Sequence, residues 1–163
     1  MGTVVKCIVQ YDRPFWREEG YSGEAITDGL PVRATFDGCS PDGSFHGLVA
    51  FVIADAARGF GELAAEERQQ RVAEHLAELF GPAAAKPKDY IDMVWASERW
   101  SAGCYVGVAG PRVLTDCGHA LRKPLHRVHF AGTEAATRWC GYFDGALEAG
   151  QRAAADVERQ VER

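Results

Sequence analysis

Near the C-terminus, Val128-His-Phe-Ala-Gly-Thr-Glu134 and Trp139-Cys-Gly-Tyr-Phe-Asp-Gly145 precede an alanine-rich segment. This pattern predicts a short strand at Val128–Phe130, a glycine turn and a helix start. Gly132 lets backbone approach a ligand with no Cβ in the way. Gly141 and Gly145 flank a helix start whose first N–H groups lack partners within the helix, and these N–H groups together with the positive dipole end favour an electron-rich group. An ordinary strand-turn-helix with packing glycines fits the same spacing. The other chemistry-bearing stretch is Glu98-Arg-Trp-Ser-Ala-Gly-Cys-Tyr-Val-Gly-Val-Ala-Gly-Pro111, which has no clear periodicity. An irregular run of this kind in a compact protein reads as a binding loop, and it carries Cys104 and Tyr105.

The five cysteines, Cys7, Cys39, Cys104, Cys117 and Cys140, are odd in number and form no C-x-x-C pair. Neither a disulfide framework nor a zinc ribbon is indicated. Cys117, His119, His126 and His129 fit no established metal-ligand spacing, so no metal is expected.

Several elements must position these residues. Val4–Tyr11 reads as a strand, with Lys6 as an exposed-face residue, and Pro14 breaks it before Phe15 and Trp16. Tyr21–Asp28, Val32–Phe36 and Gly47–Ala54 read as further strands separated by Gly, Pro and Asp turns, which suggests an antiparallel sheet. From Leu63 to Phe80 the period becomes helical, with Val72, Leu76, Leu79 and Phe80 on one face and Gly81-Pro82 as the stop. Asp89–Ala96, carrying Tyr90 and Trp95, is a further strand, and Val113–Leu125 holds a short helix. A final helix spans about Tyr142–Val161, with Leu147, Ala154, Val157 and Val161 roughly on one side. The fold class is therefore mixed α+β.

With 163 residues, 47% hydrophobic and 25% charged, the chain can bury one modest core. A net charge of −5 without a basic stripe argues against nucleic acid. No apolar run approaches the roughly 20 residues needed to span a bilayer, and no signal pattern opens the chain. The expected location is the cytoplasm, away from any membrane.

Over nearly its whole length the sequence resembles the C-terminal part of the flavin-dependent monoamine oxidases. The resemblance is carried by Val5-Lys-Cys-Ile-Val-Gln-Tyr11, Pro14-Phe-Trp-Arg17, Trp95, Ser101-Ala-Gly-Cys-Tyr105, Phe130-Ala-Gly-Thr-Glu-Ala-Ala-Thr137, Trp139-Cys-Gly-Tyr142 and Gly145-Ala-Leu-Glu-Ala-Gly150, in the family's order. It implies that FAD is bound, with Cys104 matching the cysteine that forms a thioether to the flavin; a spare buried cysteine is the alternative. Tyr105 and Tyr142 match the aromatic pair that frames the substrate amine, and otherwise read as core tyrosines. Lys6 matches the lysine that holds a water at the flavin. Trp95, Gly132, Thr133, Gly141, Tyr142 and Phe143 match residues along the cofactor, although Trp95 also suits a core. Ile26, Ala34 and Phe51 become pocket walls; Ala34 stands where one branch of the family has a bulky gate, and Val106-Gly-Val-Ala-Gly110 replaces aromatic and paired-proline residues. These departures imply a roomier cavity.

The resemblance divides the chain into part of a substrate domain (1–100) and the C-terminal part of an FAD-binding domain (101–163). No G-x-G-x-x-G unit is present. The expectation is a C-terminal fragment without the membrane-anchoring tail of the animal enzymes. Its activity would be oxidative deamination of a primary amine or polyamine with O2, using an FAD-binding N-terminal half supplied by a partner chain or a longer protein. The competing expectation is a non-catalytic interaction or oligomerisation module, including a homodimer.

Overall fold

The computed structural model describes residues 1–29 and 31–161. The final residues on which the missing-tail expectation rests, Glu162 and Arg163, lie outside the described residues. Two compact units are formed, Met1–Tyr105 and Val106–Arg163. The division falls after Tyr105, so Cys104 and Tyr105 belong to the first unit.

In the first unit, β1 (Val4–Gln10), β2 (Ala25–Ile26), β3 (Ala34–Asp37), β4 (Gly47–Ile53) and β5 (Asp89–Val94) form one antiparallel sheet in the order β2-β3-β4-β1-β5. Alternation assigns the two faces. Val5, Cys7 and Val9 of β1 and Leu48, Ala50 and Val52 of β4 are buried on one side. There they join Ala57 and Phe60 of α2 (Asp55–Gly61) and Val72, Leu76 and Phe80 of α3 (Ala65–Phe80) in one core. The helix α3 opens with Glu66 and Glu67 and ends at Gly81, whose φ of 88° suits a residue without a Cβ.

Phe15 and Trp16 lie in α1 (Phe15–Glu18) and are buried. With Tyr11 they pack edge-to-face at centroid distances of 5.0–5.7 Å. The Trp16 indole N–H donates to Asp37 at 2.8 Å, and Arg17 binds both oxygens of the same carboxylate at 2.6 and 2.8 Å. Across the core, Arg68 of α3 forms a two-point ion pair with Asp92 of β5 at 2.6 and 2.9 Å. Tyr90 also donates to Asp92, at 2.9 Å.

Three expectations for this unit change. The strand predicted over Tyr21–Asp28 shrinks to Ala25–Ile26, because Gly20 and Gly23 take positive φ and Tyr21 turns to an edge contact with Phe80 at 6.4 Å. The strand carrying Trp95 stops at Val94, and Trp95–Ser97 becomes a 3-10 turn in which the Ser97 hydroxyl donates to the Val94 carbonyl at 2.8 Å. Helix α2 was not foreseen, since Asp55-Ala-Ala-Arg-Gly-Phe-Gly61 contains two poor helix formers and is held by burial of Ala57 and Phe60.

The second unit contains α4 (Val113–Cys117), a 3-10 turn at Gly118–Arg122, a second at Thr133–Ala135, and α5 (Phe143–Val161). The strand predicted at Val128–Phe130 is reduced to one bridge between Leu125 and Val128. A strand needs a ladder, and among the described residues of the unit Val128 pairs only with this turn partner. Leu147, Val157 and Val161 are exposed, as is Ala154, whereas Gly145, Ala149 and Ala153 are buried. Small side chains spaced by four let the helix approach Ala135 and Ala136, with which Ala149 forms the unit's core. Among the described residues, no helix is long and apolar enough to cross a membrane, and no group of three metal-ligating side chains forms.

The Arg68–Asp92 pair has side-chain exposures of only 13% and 8%. Arg68→Ala strands a carboxylate in that environment and is expected to lower the unfolding free energy by about 3 kcal/mol. Arg68→Lys is expected to restore little of it, because a lysine cannot reproduce the planar fork. Urea denaturation of the three proteins measures both.

Candidate functional site

Strand pairing gathers four of the predicted site residues into a single line. Ile26 pairs with Ala34, Ala34 with Phe51, Phe51 with Lys6, and Lys6 with Met93. The row crosses all five strands on the face opposite the core, which the alternation of β1 and β4 leaves half-buried. The Lys6 ammonium lies 5.8 Å from the centre of the Phe51 ring, a cation–π arrangement. Phe36 meets Phe51 edge-on at 5.8 Å, and Tyr105 meets it tilted at 6.2 Å. Phe36 and Met93 were missed as members of this wall. Their signal is positional, since membership depends on register. Ile26, at 84% exposed, ends the row in the open within this unit.

Backbone contacts tie the loop bearing Cys104 and Tyr105 to the start of β1. Ala102 N–H donates to the Glu98 carbonyl at 2.8 Å, and Cys104 N–H donates to the Gly2 carbonyl at 3.0 Å. A Cβ on Gly103 would stand 2.5 Å from the Gly2 oxygen, and one on Gly2 would stand 2.5 Å from the Cys104 oxygen. Only glycine at both positions permits this approach. It brings Cys104 within the field of Lys6: burial raises the Cys104 thiol pKa above its ordinary value, and the Lys6 charge opposes the rise. Burial likewise raises the Tyr105 phenol. The Cys104–Tyr105 peptide is cis. Trp95 is half-buried in its turn at the end of β5 and makes no place in the row.

The second unit holds the remaining predicted residues. Thr133, Gly141, Tyr142, Phe143 and Ala146 line an open pocket of about 360 Å³. The Thr133 hydroxyl accepts from Gly141 N–H at 2.8 Å and donates to the Tyr142 carbonyl at 3.1 Å, so one side chain clamps the turn before α5. Gly132 begins the Thr133–Ala135 turn, with Ala135 N–H donating to its carbonyl at 2.9 Å. Trp139 packs edge-on against Tyr142 at 5.9 Å. Tyr142 is 65% and Phe143 92% exposed, a large apolar area left uncovered beside the first N–H groups of α5. Tyr105 therefore stands on the first unit and Tyr142 on the second.

The first unit thus presents a half-exposed sheet face with one cation among aromatics, and the second an apolar pocket at a helix start. The chain belongs to the family of flavin containing amine oxidoreductases, which it matches over residues 1–158. It is 43% identical over 161 residues to a probable flavin-containing monoamine oxidase A of Dictyostelium discoideum, covering 99% of this chain and 35% of that protein. Identity to the human flavin-containing amine oxidase B is 42% over 160 residues, covering 96% of this chain and 31% of the relative. Among solved structures, cyclohexylamine oxidase from Brevibacterium oxydans superposes with a TM-score of 0.92 at 36% identity, over 100% of this chain and 36% of that one. A putrescine oxidase bound to putrescine superposes with a TM-score of 0.88 at 35% identity, over 96% and 35%. The chain thus spans about a third of the length of these relatives.

The Cys104 environment gives a signed pH prediction. With its pKa raised, the thiolate fraction at a given pH is reduced, so alkylation by iodoacetamide should reach half its maximal rate above the ordinary thiol range. Lys6→Met removes the opposing charge and should move the midpoint higher still. Mass mapping of the Cys104 peptide against pH reads both; a midpoint that falls in Lys6→Met contradicts the arrangement.

Proposed function

We propose that this chain supplies the substrate wall and part of the cofactor wall of an FAD-dependent oxidase that converts a primary amine or polyamine to an aldehyde. The observation that carries the reading is the row Ile26–Ala34–Phe51–Lys6 with the Tyr105 ring against Phe51. Similarity to oxidases of cyclohexylamine and putrescine supports an amine as substrate. Residues 1–100 are assigned to the substrate domain and 101–163 to the FAD-binding domain, and the cytoplasm is the proposed location.

The residues present suit a flavin. The Thr133–Ala146 pocket is open and mostly apolar, Gly141 adds no side chain to it, and the α5 start offers unpaired N–H donors. Gly132, Thr133, Gly141, Tyr142 and Phe143 would hold the cofactor, with Trp95 beside it and Cys104 as the candidate for a thioether. When bound, FAD supplies the acceptor for two electrons from the amine α-carbon and passes them to O2, so that amine, O2 and water become aldehyde, ammonia and hydrogen peroxide. Tyr105 and Tyr142 present aromatic faces that orient the amine. Lys6 contributes a fixed cation that favours the reduced cofactor and positions a water. Ile26, Ala34 and Phe51 set the pocket width, and the small side chain of Ala34 leaves space for a longer amine.

The remaining FAD contacts are assigned to an N-terminal half on a longer protein or a separate chain. A second reading, a non-catalytic docking or homodimerising module, is favoured by the exposed Leu114, Trp139, Phe143, Leu147 and Val161 of the second unit.

The test purifies the chain alone and with any product encoded immediately upstream. A yellow protein that releases peroxide from an amine is expected of the oxidase, and colourless protein in both preparations overturns it. Concentration-dependent dimerisation of a colourless chain would support the docking module. If the flavin is bonded, its absorbance stays with acid-precipitated protein and is lost in Cys104→Ala.

A further inference from the structure

The turn that presents Trp139 and Tyr142 is fixed from the helix behind it by a residue with no part in the site as described. On α5, the Glu148 carboxylate accepts from Thr137 N–H at 3.0 Å, from the Thr137 hydroxyl at 2.6 Å and from Arg138 N–H at 3.0 Å. These bonds, the Thr137 hydroxyl foremost, pull its pKa down, so it remains an acceptor at neutral pH. The next residue, Trp139, takes a φ of 53°, outside the usual range for a bulky side chain. Its carbonyl accepts from Tyr142 N–H at 3.0 Å and comes so close to α5 that a Cβ on Gly145 would stand 2.2 Å from its oxygen. Its ring meets Tyr142 at 5.9 Å and 86°. Thr133 clamps the far end of the turn at Gly141 and Tyr142.

We infer that Glu148 is a positioning residue for this aromatic wall: its carboxylate fixes the Thr137–Arg138 turn, and through Trp139 it sets the place of Tyr142 beside the pocket. Three donors on one carboxylate define the turn more tightly than any neutral acceptor can. The inference rests on the amine-oxidase reading for the use of Tyr142, but the geometry stands without it.

The chain has four tryptophans, and Trp16, Trp95 and Trp100 all belong to the first unit. Labelling with 5-fluorotryptophan, with Trp139→Phe to assign the signal, gives a reporter on each. In Glu148→Ala the Trp139 resonance should move or broaden while the other three keep their positions. In Glu148→Gln it should move less, because the amide retains one acceptor and the Thr137 hydroxyl can turn to accept from its NH2. An unmoved Trp139 in Glu148→Ala overturns the inference. Should Glu148→Ala fail to fold, Glu148→Gln decides: Trp139 alone must shift, and movement of all four signals or of none overturns it.

In the FAD-loaded oxidase, Glu148→Ala should lower kcat/KM for the amine on the order of 10- to 100-fold, the scale expected for a misplaced orienting group. Absence of turnover in the unsubstituted protein would sink the oxidase reading and leave the resonance result to judge the positioning role.

Discussion

The pairing of β1 between β4 and β5 is the constraint on which the first unit depends. Val5, Cys7 and Val9 are fully buried on one face of this strand, and Lys6 lies between them on the other. A slip of one residue would turn all of them over, sending an ammonium into the core and three apolar side chains out of it. Burying an unpaired cation costs several kcal/mol at least, so the register that makes the core also fixes the row Ile26–Ala34–Phe51–Lys6. Two cysteines of this unit show the consequence. Burial pushes the Cys7 thiol up to about 12, leaving an inert core residue, whereas Cys104 on its loop stays half-buried and within reach of the lysine's field.

The second unit is organised differently. Among the described residues its apolar core cluster is Ala135, Ala136 and Ala149, too little to hold loops in place by burial alone. Side chains of α5 take over that task. Arg152 donates to the carbonyls of Arg122, Phe130 and Ala135 at 3.1–3.2 Å, and Glu148 gathers the donors of Thr137 and Arg138. One helix therefore satisfies backbone groups on both sides of the Thr133 turn while its large apolar side chains remain exposed. That division of labour leaves the leucine and valine side of α5 outside the packing within the unit.

Much of the fold was legible in the sequence because local rules and burial agree there. The β-rich run at Val4–Gln10, the acidic start and Gly81-Pro82 stop of α3, and the lack of periodicity from Glu98 to Pro111 each follow from local chemistry. Where a distant contact competes, as when Tyr21 turns to Phe80, the predicted strand gives way. Helix α2 escaped notice for the converse reason: its glycines are poor helix formers, and burial of Ala57 and Phe60 outweighs them.

The motifs alone determined the family, the mixed α+β class and the identities of Lys6, Cys104, Tyr105 and Tyr142 as candidates, because those depend on residue types in order along the chain. Tertiary structure decided which of them share a surface. Ile26, Ala34, Phe51 and Lys6 are separated in sequence by up to 45 positions and become neighbours only through three strand pairings, and a fourth, of β1 with β5, recruits Met93. Glu148 became visible in the same way, since a carboxylate on a helix reveals its partners only when the turn it holds has folded against it. Cross-strand register and side-chain-to-backbone bonds are set by free energies summed over the whole packed unit, and no local window of sequence contains that sum.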